Sequence, residues 1–150
     1  MSHEESVDVE IDRSIEIRED FDIIRARARA RVLAEALGFG IVDQTRIVTA
    51  VSEIARNALI HGGGGKLTLS TINDKKGLEI VVIDQGPGIP NVDRVTDEGY
   101  EGYSTSGGLG LGLRGAMRLM DEFHIESKPE AGTKVTMRKW LASGFRRWEG

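Results

Sequence analysis

The chain has 150 residues, which suits one domain with one core, and its 39% hydrophobic and 29% charged residues are ordinary for a soluble globular protein. It has no cysteine, which excludes disulfides, thiolate chemistry and cysteine-bound zinc, and its net charge of −4 argues against general nucleic-acid binding. No stretch approaches the roughly 18 apolar residues of a membrane helix, and the first residues lack a secretory-signal pattern. These features predict a cytoplasmic protein that binds neither nucleic acid nor membrane.

The first third of the chain predicts a strand followed by a helix. Apolar and polar residues alternate from Val7 to Ile17, which is typical of a strand. From Asp20 to Leu37 the spacing of apolar residues is that of a helix, and the glycines at 38 and 40 end the predicted helix. The apolar residues that fall roughly on one face of this helix are Phe21, Ile24, Ala28, Val32 and Leu37.

A second helix is predicted over residues 44–61, with Asp43 as its N-cap. Glycines 62–65 end it abruptly. Its apolar stripe consists of Ile47, Val51, Ile54 and Ala58.

The second half of the chain predicts strands around a long loop. KLTLSTI alternates as a strand, and the mostly apolar LEIVVID predicts a central strand buried on both faces. Residues 84–112 contain eight glycines and read as loop, before a third helix at about 113–123. A final hairpin has strands near 123–127 and 133–141.

This order of elements predicts an α+β fold, a two-layer sandwich in which about three helices cover one face of a mixed, mainly antiparallel sheet. We expect one domain over residues 1–141 and a short tail over 142–150.

The second helix carries polar residues beside its apolar stripe. Glu53, Asn57 and His61 are spaced i, i+4, i+8 and share one face. They could be a polar edge in water. Alternatively, Asn57 offers its amide oxygen to Mg²⁺ and Glu53 acts as a base one turn earlier. His61 could contact phosphate or be a cation at the helix end.

The stretch DQGPGIP follows the predicted central strand. The Asp84 carboxylate could accept a hydrogen bond from an exocyclic amino group such as that of adenine, while Gly86 and Gly88 let the backbone turn. A plain turn is the alternative, because this composition is typical of turns.

The stretch STSGGLGLGLRGAM contains G-x-G-x-x-G from Gly110 to Gly115. No strand precedes it and no acidic residue closes a following strand, so a dinucleotide-binding βαβ unit is not indicated. The P-loop pattern also fails, since no Gly-Lys-Ser/Thr follows. What remains is a glycine-rich loop that leads into a helix N-terminus, which suits an anion.

Taken in order, these motifs resemble those of the GHKL ATPase superfamily. Glu53-x-x-x-Asn57 matches its N box, and Asp84-x-Gly86-x-Gly88 matches its first glycine box. The run Gly108-Leu109-Gly110-Leu111-Gly112-Leu113 resembles its second glycine box, and Gly132-Thr133 resembles its late Gly-Thr.

Within that superfamily the chain is similar to the small serine/threonine protein kinases of bacterial partner-switching systems, and most to the stressosome switch kinases. The resemblance runs from about residue 10 to 141 through AEALGFGIVDQTRI, SEIARN, IDQGPGIP, EGYSTSGGLGLGL, RLMDEF and KWL. One departure is His61 followed by glycines 62–65, which resembles the ending found in anti-sigma factor relatives.

The resemblance implies the Bergerat ATP-binding fold, ATP with Mg²⁺ as phosphate donor, and a serine or threonine of a STAS-domain protein as acceptor. It also implies that the released kinase activates a downstream protein such as a PP2C-type phosphatase. Glu53 would be the general base, Asn57 the Mg²⁺ ligand, and residues 91–106 a short lid. The implied nucleotide-binding residues are Asn57, Asp84, Gly86, Gly88, Gly107, Gly108, Leu109, Gly110, Leu111, Gly112, Leu113 and Thr133.

Two other functions remain open. The protein could be an anti-sigma factor that holds a sigma factor and uses kinase activity as its release switch, or a nucleotide-regulated binding module without transfer. The basic segment Arg25–Arg31 is either a solvated face or a docking surface for an acidic protein partner.

Overall fold

In a computed structural model, which describes residues 7–86 and 109–142, the chain forms one five-stranded sheet and three helices. The strands are β1 (Val9–Ile17), β2 (Gly65–Ile72), β3 (Gly77–Asp84), β4 (Glu122–Lys128) and β5 (Gly132–Trp140), and the helices are α1 (Asp20–Leu37), α2 (Ile41–Gly62) and α3 (Leu109–Leu119). The strand order is β1-β2-β3-β5-β4, and every pair among the described strands is antiparallel. The predicted α+β fold is confirmed, without a parallel pair in the described part of the sheet.

The core lies between the helices and one face of the sheet. Alternate residues of the strands point into it, among them Leu69, Ile80 and Met137, which lie side by side in the register of β2, β3 and β5. The predicted stripe of α2 is confirmed, since all four of its residues are buried. Within the described ranges, no helix is long and apolar enough to span a bilayer.

The predicted apolar face of α1 is wrong except at Leu37, which packs against the core. Phe21, Ile24, Ala28 and Val32 are exposed, and the buried face consists of Asp22, Ile23, Ala26, Ala30, Leu33 and Ala34. The reason lies in the capping of the helix. The Asp22 carboxylate folds back to accept hydrogen bonds from the backbone N–H groups of Arg18 (2.8 Å) and Glu19 (3.1 Å). This fixes the rotation of α1, and the small alanines on its inner face allow it to approach α2 closely.

The predicted bounds of the other two helices are also wrong. Helix α2 begins at Ile41 with Gly40 as its N-cap, so Asp43 lies in the first turn and pairs with Arg46 at 3.0 Å. Helix α3 spans Leu109–Leu119, so that each of its ends lies four residues earlier in the sequence than predicted. The last four residues of the predicted glycine loop, 109–112, are therefore helical.

The central strand β3 is buried on both faces only in its first half. Residues 77–80 are buried, whereas Ile83 near the end of the strand is 39% exposed and lies on the opposite face of the sheet from the core residue Val82. The strands of the final hairpin lie within one residue of the predicted bounds.

Candidate nucleotide-binding site

The carboxylate of the candidate site belongs to Asp84, the last residue of β3. Its partner in the register of the sheet is Thr133 on β5. The half-buried Asp84 carboxylate accepts hydrogen bonds from the backbone N–H of Gly86, at 2.8 Å, and from the backbone N–H of Thr133. Burial raises the pKa of Asp84 above its ordinary value, and these two hydrogen bonds oppose that shift without cancelling it.

Glycines let the end of α2 pack directly on this carboxylate. A Cβ on Gly62 would lie 2.5 Å from Asp84 Cγ, and a Cβ on Gly86 would lie 2.5 Å from Gly62 Cα. Neither distance is possible for a real side chain, so both positions need glycine. The close contact brings the C-terminal turn of α2 to the end of β3.

Asn57 and His61 line the same cleft from α2. Both are half-buried, and the buried atoms Asn57 Nδ2 and His61 Nε2 have no hydrogen-bond partner among the described residues. A buried polar atom without a partner costs about 1–3 kcal/mol, so its position beside a cleft indicates that a ligand or water can supply the missing bond. These atoms are not part of a solvated helix edge.

The first turn of α3 meets Glu53 and Asn57 at a glycine. A Cβ on Gly112 would lie 3.2 Å from Glu53 Oε1 and 3.3 Å from both Oδ1 and Nδ2 of Asn57. The first N–H groups of any helix have no partner within the helix and favour an anion. The two side chains therefore lie where the N-terminal end of α3 can hold phosphate.

Ser127 is a site neighbour that the sequence analysis missed. It lies opposite Thr133 in the register of β4 and β5, and the two hydroxyl oxygens are 2.8 Å apart. Ser127 Oγ also donates to the backbone oxygen of Gly132 at 3.2 Å. Its only signal in the sequence was its position across the hairpin from Thr133.

The cleft opens to solvent, and it combines an apolar wall with a few polar groups. Its lining residues are Ile54, Asn57, Ala58, His61, Gly62, Val82, Asp84, Leu113, Thr133 and Val135. An apolar wall with one carboxylate at its edge can hold a flat ring that carries an amino group.

Some predicted site residues can be placed only in part. Leu109, Gly110 and Leu111 lie in the first turn of α3, and Leu113 contributes a side chain that is 1% exposed. Gly88, Gly107, Gly108 and the predicted lid over residues 91–106 lie outside the described residues.

Residues 18–139 match the family model described as the histidine kinase-like ATPase domain. The chain belongs to this family. Two solved structures resemble the fold of this ATPase domain. The RsbU and RsbW domains of Rv1364c from Mycobacterium tuberculosis match 87% of this chain and 33% of that chain, with a TM-score of 0.59 and 22% identity. The SiaB–SiaC complex from Pseudomonas aeruginosa matches 87% of this chain and 91% of that chain, with a TM-score of 0.55 and 12% identity.

Curated relatives of this ATPase domain are more similar in sequence. Serine/threonine-protein kinase RsbT of Bacillus subtilis (strain 168) is 48% identical over 129 residues, which are 85% of this chain and 95% of that protein. The anti-sigma F factor of Clostridium acetobutylicum is 31% identical over 120 residues, which are 78% of this chain and 84% of that protein. The family and the similarity to RsbT confirm the predictions of ATP use and of an enzyme of the serine/threonine-protein kinase type.

Proposed function

We propose that this protein transfers the γ-phosphate of ATP to a serine or threonine of a STAS-domain partner, as the kinase of a cytoplasmic stress-signalling partner switch. The observation that carries the proposal is the contact of Glu53 and Asn57 with Gly112 in the first turn of α3. It puts a carboxylate and an amide next to the helix N-terminus at which phosphates would bind.

In this proposal the two ends of ATP bind at two parts of one cleft. Asp84 accepts a hydrogen bond from the adenine amino group, and Thr133 supports it from the neighbouring strand, with its own hydroxyl held by Ser127. The first turn of α3, with the glycine-rich residues before it, holds the phosphates through backbone N–H groups.

Asn57 suits a magnesium ion shared with the phosphates. Its carboxamide lies against the first turn of α3, and its buried Nδ2 has no hydrogen-bond partner in the part of the chain that the structure describes. Its Oδ1 is the hard oxygen donor that Mg²⁺ prefers. When bound, the ion would neutralise charge on the phosphate oxygens.

Glu53 would act on the acceptor. The hydroxyl oxygen of the acceptor serine or threonine bonds to the γ-phosphorus, its proton passes to Glu53 Oε1, and the bond to the departing ADP oxygen breaks. General-base catalysis of this kind contributes about 10²–10⁴-fold in rate. The rest of the acceleration comes from positioning and electrostatics.

The partners are inferred from the relatives. RsbT supports a protein substrate that carries serine or threonine, and the resemblance to switch kinases supports a STAS-domain protein as that substrate. After release from its complex, the kinase would bind and activate a PP2C-type phosphatase.

The test is transfer of labelled γ-phosphate from ATP with Mg²⁺ to proteins of a host lysate. We expect one labelled band with the wild type and with Glu10→Gln, an exposed control on β1, and none with Glu53→Gln. Mass spectrometry should then find phosphoserine or phosphothreonine in a STAS domain. Equal labelling by Glu53→Gln would remove Glu53 as the base, and absence of any wild-type label with ATP binding intact would refute transfer.

A second candidate function rests on the anti-sigma F relatives. In that case the protein holds a sigma factor and releases it through phosphorylation of an antagonist. Pull-down with purified sigma factors of the host, with and without ATP, distinguishes the two, because a switch kinase should retain none. Nucleotide-dependent retention of a partner without any transfer would instead indicate a regulated binding module.

A further inference from the structure

Helix α1 exposes large apolar side chains in a line. Phe21 is 60%, Ile24 57% and Val32 53% exposed, and Ala28 between them is exposed as well. At about 100° of rotation per residue, these four positions fall within an arc of about 80°. We call them the α1 stripe. Its opposite face packs in the core, so the helix is apolar on two sides.

The α1 stripe is long enough to receive a partner helix. Its ends are 11 residues apart, which is about 16 Å or three turns. Isolated exposed apolar residues are ordinary on a soluble protein, but several in one line mark an interaction surface.

Arginines border the stripe on both sides. Arg25 lies on one side with its side chain 50% exposed, although it also pairs with Asp22 at 3.0 Å. On the other side lie Arg31, whose Nη1 donates to Gln44 Oε1 at 3.2 Å, and the exposed Arg27. Arg29, farther round, is held by two hydrogen bonds to Asp12.

We propose that the α1 stripe binds an amphipathic helix of a partner protein whose apolar side chains are flanked by aspartate or glutamate. The apolar line would pack against the apolar face of that helix, and the flanking arginines would select acidic neighbours and fix its register. This surface would bind the partner in the proposed partner switch. The inference rests on that proposed function only because it requires a protein partner.

A second copy of this chain is a poor occupant. In an antiparallel pair of α1 helices related by a two-fold axis, Arg25 and Arg27 would lie near their counterparts at the centre. The same symmetry would bring Asp20 of one copy near Glu35 of the other at each end. Like charges would therefore meet at both the centre and the ends, which opposes association.

The ends of this chain also fit poorly. Residues 143–150 contain Phe145 and Trp148 but also Arg146 and Arg147, which have the same sign of charge as the border of the stripe. Residues 1–6 are acidic, but Met1 is their only large apolar side chain. Neither segment combines an apolar face with acidic flanks.

The stripe can be tested apart from the nucleotide site, because no residue of α1 lines the cleft. The probes are three synthetic stapled helical peptides of about four turns: one with a leucine face flanked by glutamate, one with lysine in place of glutamate, and one acidic peptide with the leucines scrambled. Binding to the full chain is measured by fluorescence anisotropy, and ATP binding is measured in parallel.

We expect the acidic leucine peptide to bind the wild type at least about tenfold more tightly than either of the other two. Ile24→Asp should lose that difference, whereas Ile11→Asp, a matched substitution of a 66% exposed isoleucine on β1, should keep it. The double variant Arg25→Glu, Arg27→Glu should prefer the lysine peptide. All variants should bind ATP as the wild type does.

Equal binding of the three peptides, no binding of any, or unchanged binding by Ile24→Asp would overturn the inference. A wild-type dimer in sedimentation that Ile24→Asp dissociates would assign the stripe to a second copy instead. Loss of phosphate transfer in the lysate assay with peptide selectivity intact would refute the proposed kinase function and leave the docking surface standing.

Discussion

Gly112 of α3 faces the carboxamide of Asn57 on α2 so closely that a Cβ at position 112 would lie 3.3 Å from both its oxygen and its nitrogen. Two motifs that are 55 positions apart in the sequence thus meet at a point where any larger residue would push its neighbours back by a few tenths of an ångström. The close approach gives a physical reason for glycine at this helical position, where glycine costs about 0.5–1 kcal/mol relative to alanine.

We expect Gly112→Ala to weaken ATP binding by displacing the Asn57 amide and the Glu53 carboxylate by a few tenths of an ångström. Gly115→Ala is the matched control, since it lies one turn later in α3 and a Cβ there would have nothing within 4 Å. The control should bind ATP normally and unfold at a higher temperature, because alanine favours the helix. Titration calorimetry and thermal unfolding measure both effects, and equal ATP affinity of the two variants would contradict the proposed geometry.

Asp84→Asn should raise the melting temperature and weaken ATP binding. Burial raises the pKa of Asp84, so its contribution to stability is fully present when the carboxyl is protonated and is lost as the pH rises through the raised pKa. At neutral pH the buried charge is therefore a cost that asparagine removes. The variant should melt at a higher temperature than the wild type without nucleotide, and it should bind ATP more weakly because the charged acceptor is gone.

Asp74→Asn, in the exposed turn between β2 and β3, is the matched control for that substitution. It should change neither the melting temperature nor ATP affinity appreciably. If Asp84→Asn bound ATP as tightly as this control, Asp84 would not be the adenine acceptor.

The raised pKa of Asp84 also predicts how ATP binding depends on pH. A hydrogen bond from the adenine amino group favours the ionised carboxylate, so affinity should fall as the pH drops through the raised pKa. As the pH is lowered, the loss of ATP affinity should begin at a higher pH than it would if the acceptor were an exposed aspartate with an ordinary pKa. Calorimetric titration of ATP over a pH series measures it, and the residual binding of Asp84→Asn should lack this component.

Much of the fold and site could be predicted because two strong patterns coincide. The stripe of α2 and the alternation in the strands follow the periods of helix and strand, and the polar residues Glu53 and Asn57 stand beside that stripe at helical spacing. Since α2 must bury its apolar face on the sheet, its polar edge is brought to the end of β3, where Asp84 lies.

The rest depended on contacts that the local pattern does not contain. In α1, alanine and arginine alternate, so two faces were equally plausible, and the backward hydrogen bonds of Asp22 decided between them. The glycines at the start of α3 indicated a loop by their propensity alone. The packing of Gly112 against α2 is a tertiary contact that overrides that propensity and allows the helix to begin by Leu109.

Lys139 on β5 gives a prediction for the part of the fold that holds α3 in place. Its buried ammonium donates to the backbone oxygen of Leu119, the last residue of α3, at 2.9 Å, and lies within 3.7 Å of carboxylate oxygens of Asp43 and Asp121. A cation at this position satisfies a terminal carbonyl and interacts favourably with the C-terminal end of the helix dipole. One side chain thus joins α3 to β5 and to the first turn of α2.

Lys139→Met should lower the free energy of unfolding by about 1–3 kcal/mol, because methionine fills the space but leaves the Leu119 carbonyl without its donor. Lys134→Met, an exposed lysine on the same strand, should change it by no more than about 0.5 kcal/mol. Urea unfolding of both variants at neutral pH and moderate salt measures the difference. Equal stabilities of the two variants would mean that the Leu119 carbonyl finds another donor and that packing alone holds the end of α3. The charge interaction of Lys139 with two partly exposed carboxylates contributes little to stability by itself.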